Sequence, residues 1–264
     1  MAAHNRRELT VRSLRSLTLA HDAFDLTVVL LDDGSTDGTA EAVKACWPGA
    51  IVLSGDGNAF WNGGMHQAWT YALGLDVDGY LWLNDDVQLD DDALSRLANE
   101  WAAQGGHEYP FILVGATRSQ SGEVSYGGQV VASHPLALRF KRLPAADVLL
   151  EAYTFNGNIV LVSKATQQKI GINDKKFLHT LGDIDYGLRA SRAGIPVLIL
   201  PKTLGVCEPN KPMNYNTGNI LNRIRNITSY RGIPMRNWIR ITWRYSGIYM
   251  PLHFILPYRK IFFR

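Results

Sequence analysis

The sequence predicts an α/β protein, a mostly parallel sheet flanked by helices, with a basic and aromatic C-terminal extension. Three observations carry this reading. Strand-length apolar runs alternate with helical patterns along most of the chain, as expected of strand–helix units feeding a parallel sheet. Two of those runs end in paired carboxylates, Asp32-Asp33 and Asp85-Asp86, and ligands of open α/β sheets bind at such strand ends. Charge is partitioned as well: residues 1–208 hold 17 Lys and Arg against all 24 Asp and Glu, while 209–264 hold 10 basic residues and no acid.

In chain order, Asn5 with Glu8 three residues later resembles a capping box, opening a helix that carries Leu14 and Leu17. Only Met1 to Ala3 precede it. The strands that follow are Thr27–Leu31, Ile51–Leu53, Tyr80–Leu83, Phe111–Val114, Ile159–Val162 and Val197–Leu200. Between them, Met65, Ala68, Trp69, Ala72 and Leu73 fall at helical spacing, as do Leu94, Leu97, Ala98 and Trp101 after an Asp90-Asp91-Asp92 cap. A further helix runs from about Asp183 to Ala193. Residues 118–151 are rich in Gly, Ser and Pro and lose periodicity, which predicts loops and short strands forming a lid or acceptor wall above the sheet.

Composition excludes several classes. With 46% hydrophobic and 19% charged residues the chain can bury a core and is not a disordered segment. Its two cysteines, Cys46 and Cys207, form no paired spacing, which excludes a disulfide framework or a cysteine zinc site. No apolar stretch reaches the roughly 17 to 25 residues of a bilayer span, and the first residues contain no apolar signal core. The expected location is cytoplasmic, peripheral on the inner face of the cell membrane.

Three constellations can carry chemistry. In Val28-Val-Leu-Leu-Asp-Asp-Gly-Ser-Thr-Asp-Gly-Thr39 a strand delivers Asp32 and Asp33 to a glycine turn, where they either read a nucleotide or serve as turn and cap residues. Tyr80-Leu-Trp-Leu-Asn-Asp-Asp-Val87 places Asp85 and Asp86 at a strand tip. They suit Mg²⁺ or Mn²⁺, because a hard cation takes one or two carboxylates plus substrate phosphate oxygens. The bland reading is a solvated acidic loop. Leu181-Gly-Asp-Ile-Asp-Tyr-Gly-Leu-Arg189 puts Asp183 at a helix start, as a cap or a general base, and Asp185 four residues before Arg189, at ion-pair spacing.

In this order and spacing the three acidic motifs resemble family 2 glycosyltransferases of the GT-A fold, inverting and rhamnosyltransferase-like, over about His4 to Glu208. The resemblance implies a UDP- or dTDP-sugar donor and a hydroxyl of a glycan or lipid-linked glycan as acceptor. It makes 1–208 the catalytic domain and 209–264 an extension. It implies nucleotide binding by Asn5, Arg6, Asp32, Asp33, Asn58, Gly63, Gly64 and Asp85, with Asp33 on the uracil or thymine ring and Asp86 the metal ligand. Asp183 becomes the catalytic base, and Asn156, Gly157, Asn158 and Asp185 line the acceptor pocket.

Three departures stand out. Only three residues occupy the place of the family's interior first strand, so the strand is truncated or a stub. Gly182 replaces the Glu of the Glu-Asp motif, and Cys207-Glu208 stands where many relatives carry a metal-binding His. A degenerate scaffold at the membrane is therefore an alternative. A sugar nucleotidyltransferase is disfavoured by the lack of a Gly-rich phosphate loop with Lys and Arg, and an Asp-x-Asp phosphatase by the adjacency of Asp32 and Asp33. In the extension, Arg223 to Arg244 interleave with Trp238, Trp243, Tyr245 and further aromatics. Such a mixture suits a membrane surface, or else packs on the catalytic domain. No RNA module is present, and no nucleic-acid partner is expected.

Overall fold

The computed structural model describes residues 1–18, 24–134, 137–177, 179–211, 218–229 and 232–262. A Rossmann-like first layer contains β1 (Ala2–Ala3), α1 (Arg7–Thr18), β2 (Val29–Asp32), α2 (Thr39–Cys46), β3 (Ile51–Ser54) and α3 (Phe60–Ala72). Its strands are all parallel, in the order β1-β2-β3. Next come β4 (Gly79–Leu83), β5 (Gln88–Leu89), α4 (Ala93–Ala103), β6 (Ile112–Arg118), β7 (Val124–Tyr126), β8 (Gly128–His134), β9 (Ala137–Arg142), β10 (Leu150–Ala152), β11 (Thr154–Phe155) and β12 (Ile159–Ser163). The chain continues through α5 (Lys164–Ile170), α6 (Gly182–Arg192), β13 (Val197–Val206), α7 (Ile220–Thr228), α8 (Met235–Tyr245) and α9 (Met250–Ile255).

The larger sheet, β10-β13-β6-β12-β4, is mixed rather than mostly parallel. β12 runs antiparallel to both β4 and β6, and β10 antiparallel to β13, while β13 and β6 are parallel. A fully buried strand such as β12 reads as one continuous apolar run, and such a run contains no information about direction. The segment from Arg118 to Glu151 is also more regular than expected. β8 and β9 pair over six positions as an antiparallel hairpin and, with β11, make a third small sheet.

Ala2–Ala3 do form a strand, though a short one. Ala2 and Ala3 pair in parallel with Leu31 and Asp32, and the Met1 amino group donates to Val29 O at 2.8 Å. Burial pushes that amine down to about 5. Beside it an apolar cavity of about 370 Å³ lies between the start of β2 and the edge of β4, lined by Met1, Val29, Trp69, Tyr80 and Leu83 among others. The helix starts also differ from the capping expectations. Arg7 N–H is capped by Asp37 Oδ2, thirty residues away, while Asn5 Oδ1 accepts Thr36 N–H. Asp90 pairs with Arg118 at 2.7 Å instead of capping α4.

The core beneath the strand ends is aromatic. Trp82 on β4 is 2% exposed and meets Trp61 and Trp69 of α3, Phe155 of β11 and Tyr186 of α6, with ring centroids 5.3 to 6.0 Å apart. Truncating so large a buried ring removes transfer energy and opens a cavity that packed neighbours fill only in part. Trp82→Ala should therefore cost about 3–5 kcal/mol of unfolding free energy, measured by urea denaturation. A loss below 1 kcal/mol would show that the cluster is not a structural centre.

Candidate active site

The site lies where β2, β4 and β13 end and α1, α3 and α6 begin. Asn5, Phe60 and Leu181, each at φ between +50° and +71°, stand at or just ahead of the starts of α1, α3 and α6. A non-glycine residue with positive φ is costly and persists only where its surroundings over-determine it.

On the β2 side, Asp32 Oδ1 accepts Ser35 N–H at 3.0 Å, which closes the turn after the strand. Asp33 is 5% exposed and accepts three backbone N–H groups, from Gly57 (2.9 Å), Ala59 (3.2 Å) and Phe60 (3.0 Å). It clamps the loop leading into α3, and a base ring would share the carboxylate with those bonds. Asn58 is exposed and turned onto Asp56. Gly63 and Gly64 are not in a loop but in the first turns of α3. Gly64 packs where a Cβ would come within 2.8 Å of Ala2 and 3.1 Å of Leu31, so it permits close helix–strand contact.

At the tip of β4, the Arg6 guanidinium spans Asp85 Oδ1 at 3.1 Å and Asp86 Oδ2 at 2.7 Å. Burial pushes the Asp85 carboxyl up to about 6, with Arg6 pulling in the opposite direction. Asn84 fixes the turn. Its side chain accepts Trp61 Nε1–H at 2.7 Å, its N–H donates to Asn158 O, and its carbonyl receives the Ser13 hydroxyl. Asp86 Oδ1 faces Cys207 Sγ at 3.5 Å, and Asn158 Nδ2 lies 3.4 Å from the same sulfur. Burial and the adjacent Asp86 push the Cys207 thiol up, so it stays protonated and donates. Glu208 is turned away to accept Gln120 N–H.

Asp183, in the first turn of α6, accepts Gly157 N–H at Oδ2 (3.1 Å) and its neighbour Ile184 N–H at Oδ1 (2.8 Å). Burial pushes this carboxyl up against the effect of those bonds. Gly157 is required here, since a Cβ would come within 2.6 Å of Trp61. Asn156 holds Gln129 at 2.8 Å. Asp183, Gly157, Asn158, Asn84, Asp86 and Arg6 thus form one connected rim, with Phe60 and His179 in ring contact at 6.1 Å nearby.

Asp185 does not join that rim. Its side chain is fully buried and its oxygens are taken by Arg189 (3.1 Å), Arg244 (2.7 Å) and Tyr245 OH (2.9 Å). An i,i+4 partner and two residues of the extension make it an anchor, in place of the acceptor contact expected from the motif. Sequence reasoning missed Trp61 and Asn62. Cys207, just past the end of β13, is buried and faces Asp86 and Asn158.

For a divalent cation the donor set is thin. Among the described residues no group of three or more His, Cys, Asp and Glu is placed to hold a metal ion. Asp85 and Asp86 still offer hard oxygens at a strand tip, which fits a cation shared with substrate phosphates and not one held by protein alone.

The missing Glu of the acidic motif has a steric explanation. A Cβ on Gly182 would overlap Asn62 Oδ1, and Asn62 is fixed by Asp174 O, Phe177 O and Asn173.

The comparisons with known proteins agree with this architecture. Residues 1–121 match the family described as Glycosyl transferase family 2. No curated protein matches the chain. Among solved structures, GalNAc-T7 with UDP, GalNAc and Mn²⁺ is 14% identical, with a TM-score of 0.58 over 94% of this chain and 50% of that one. Residues 1–349 of S. aureus TarS give 17% identity and 0.55 over 78% and 58%, and a second TarS structure 15% and 0.56 over 93% and 43%. The chain spans about half the length of these structures, and the shared architecture is the GT-A fold.

Alanine normally improves a helix position held by glycine by about 1 kcal/mol. Gly182→Ala should instead destabilise by about 1–3 kcal/mol through overpacking. In a double-mutant cycle with Asn62→Ala, read by thermal and urea unfolding, the two losses should be less than additive. A stabilised Gly182→Ala variant would remove the steric account.

Proposed function

We propose, from a glycosyl transferase family 2 domain at residues 1–121 on a GT-A fold, that the chain is a nucleotide-sugar glycosyltransferase. The donor we assign is a UDP- or dTDP-sugar, as in the rhamnosyltransferase-like members, and the acceptor a hydroxyl of a glycan or lipid-linked glycan. The configuration at the transferred carbon is inverted. The enzyme works at the inner face of the cell membrane. One observation supports this most: a carboxylate with a raised pKa, Asp183, shares a hydrogen-bonded rim with the charged tip Asp85-Asp86.

In this reading the two kinds of carboxylate have separate tasks because their surroundings differ. Asp183, bonded among the described residues to backbone N–H groups alone, takes the proton of the acceptor hydroxyl as its oxygen bonds to the anomeric carbon. The bond from that carbon to the diphosphate breaks, and the nucleoside diphosphate leaves with the electron pair. Arg6 and the loop that Asp33 clamps hold the donor end. Asp86, with Asp85 beside it, would hold Mg²⁺ or Mn²⁺ together with the diphosphate, and the cation would supply charge neutralisation for the departing group. The GalNAc-T7 structure with UDP and Mn²⁺ is the precedent in the same fold.

Asp183→Asn should lower kcat by about 10² to 10⁴ with an unchanged melting temperature, since Asn caps a helix about as well as Asp. Because the raised pKa keeps Asp183 protonated further up the pH scale, transfer should rise with pH through a range above that of ordinary carboxylates and then level off. That limb should vanish in Asp183→Asn. Retained turnover in the variant would refute the base.

Calorimetry tests the cation. UDP or dTDP binding should be stronger with Mn²⁺ than in EDTA, and Asp86→Ala should abolish the difference. Equal affinity in both conditions would sink the metal reading.

A further inference from the structure

The extension has two unlike faces. In α8, Trp238, Ile241 and Thr242 are buried, and with Ile227, Tyr258, Ile261, Leu138 and Phe177 several of its apolar side chains build a separate small core on the β8–β9 hairpin. The outward side of α8 carries Met235 (46% exposed), Ile239 (43%) and Trp243 (76%), spaced four residues apart. At about 100° per residue these three fall within an arc of about 80°. Arg236 and Arg240 occupy the adjoining flank. Past the end of the helix, Ile248 is 88% and Ile255 63% exposed.

We propose that this face of α8 is a docking surface for an anionic lipid bilayer. An apolar stripe bordered by Arg, with Trp at its edge, is the pattern of a helix lying in the headgroup region. Charge selects the occupant. The extension has 10 basic residues and no acid, whereas the body is net acidic at −7. A second copy of the chain would bring the same positive charge against itself. Among the described residues no helix is long and apolar enough to cross a membrane, so the contact is a surface one.

The inward face of α8 gives the docking a consequence, which rests on the glycosyltransferase reading. Asn237 Nδ2 donates to Thr180 O at 3.0 Å, Arg244 grips Asp174 (2.6 Å) and Asp185 (2.7 Å), and Tyr245 OH donates to Asp185. Thr180 and Asp185 flank Asp183 in the chain. The lipid-facing stripe therefore lies about one helix diameter, roughly 10 Å, from the helix that carries the base. An acceptor reaching Asp183 from that side is membrane-borne, a glycan on a lipid carrier.

Vesicle flotation of the full chain decides the matter. Wild type should bind vesicles of mixed phosphatidylserine and phosphatidylcholine, fail to bind phosphatidylcholine alone, and release in 0.5 M salt. Met235→Ser/Ile239→Ser/Trp243→Ser should lose binding at least tenfold. Arg236→Gln/Arg240→Gln should lose about fivefold for each charge removed. All these positions are exposed or half-buried, so melting temperatures should stay within 2 °C of wild type on the order of ordinary surface substitutions. UDP or dTDP binding should be unaltered in both variants, which separates failure of docking from failure of the enzymatic reading. Unchanged vesicle binding by the triple variant overturns the proposal. So does a wild-type dimer that becomes monomeric in the variant, which would assign the stripe to a second copy.

Discussion

The packing around Trp82 is the constraint on which the rest of the structure depends. One ring at the end of β4 touches side chains from α3, β11 and α6. Those elements supply Trp61, the approach to Gly157, and Asp183. Aromatic pairs of this geometry are directional, so the ring fixes angles as well as distances. The hydrogen bond from Trp61 to Asn84 and the tight approach of Gly157 to Trp61 then carry that geometry to the carboxylates. The polar rim is held by an apolar jigsaw directly beneath it.

Electrostatics sets the opposite demand. Burying carboxylates is expensive unless each has partners, and the chain meets this cost in three ways. Asp33 is surrounded by backbone N–H groups, Asp85 and Asp86 share the Arg6 guanidinium, and Asp185 is held by two arginines and a tyrosine. Among the described residues Asp183 has backbone donors alone and no cation, and burial raises its pKa. Burial pushes Asp85 in the same direction, but there the Arg6 guanidinium opposes it. The Arg6 contact also offsets part of the negative charge of Asp85 and Asp86 at the tip of β4.

The strands were legible because apolar runs bounded by turn residues say where chain is buried, and the acidic motifs because carboxylates at strand ends are rare without a partner. Strand direction was not legible: Ile159 to Val162 reads the same in either orientation, and it proved antiparallel to both neighbours. Nor were contacts across large sequence separation. The cap on Arg7 comes from Asp37, and the burial of Asp185 depends on Arg244, 59 residues on. The local signals at these positions, Asn5 with Glu8 and an Asp two residues after Asp183, were real patterns answered by distant partners. Gly182 departs from the motif for a reason that only three dimensions show, the occupation of its side-chain space by Asn62.

The extension resolves a conflict that its composition posed. Aromatic and basic residues at this density serve either a core or a surface, and α8 divides them by helical phase. Trp238 turns inward and donates its Nε1–H to His253 O, while Trp243, five residues later, is mostly exposed. Arg244 spends its charge on two buried or half-buried carboxylates, while Arg236 stays in solvent. A sequence-wide charge count could not separate these roles, because it weighs both arginines equally. The helical phase does, and it has a mechanical corollary. The same eleven-residue helix that grips Asp185 from one side presents its apolar stripe on the other. Arg244 and Tyr245 thus tie the helix that presents the outer stripe directly to the helix bearing Asp183.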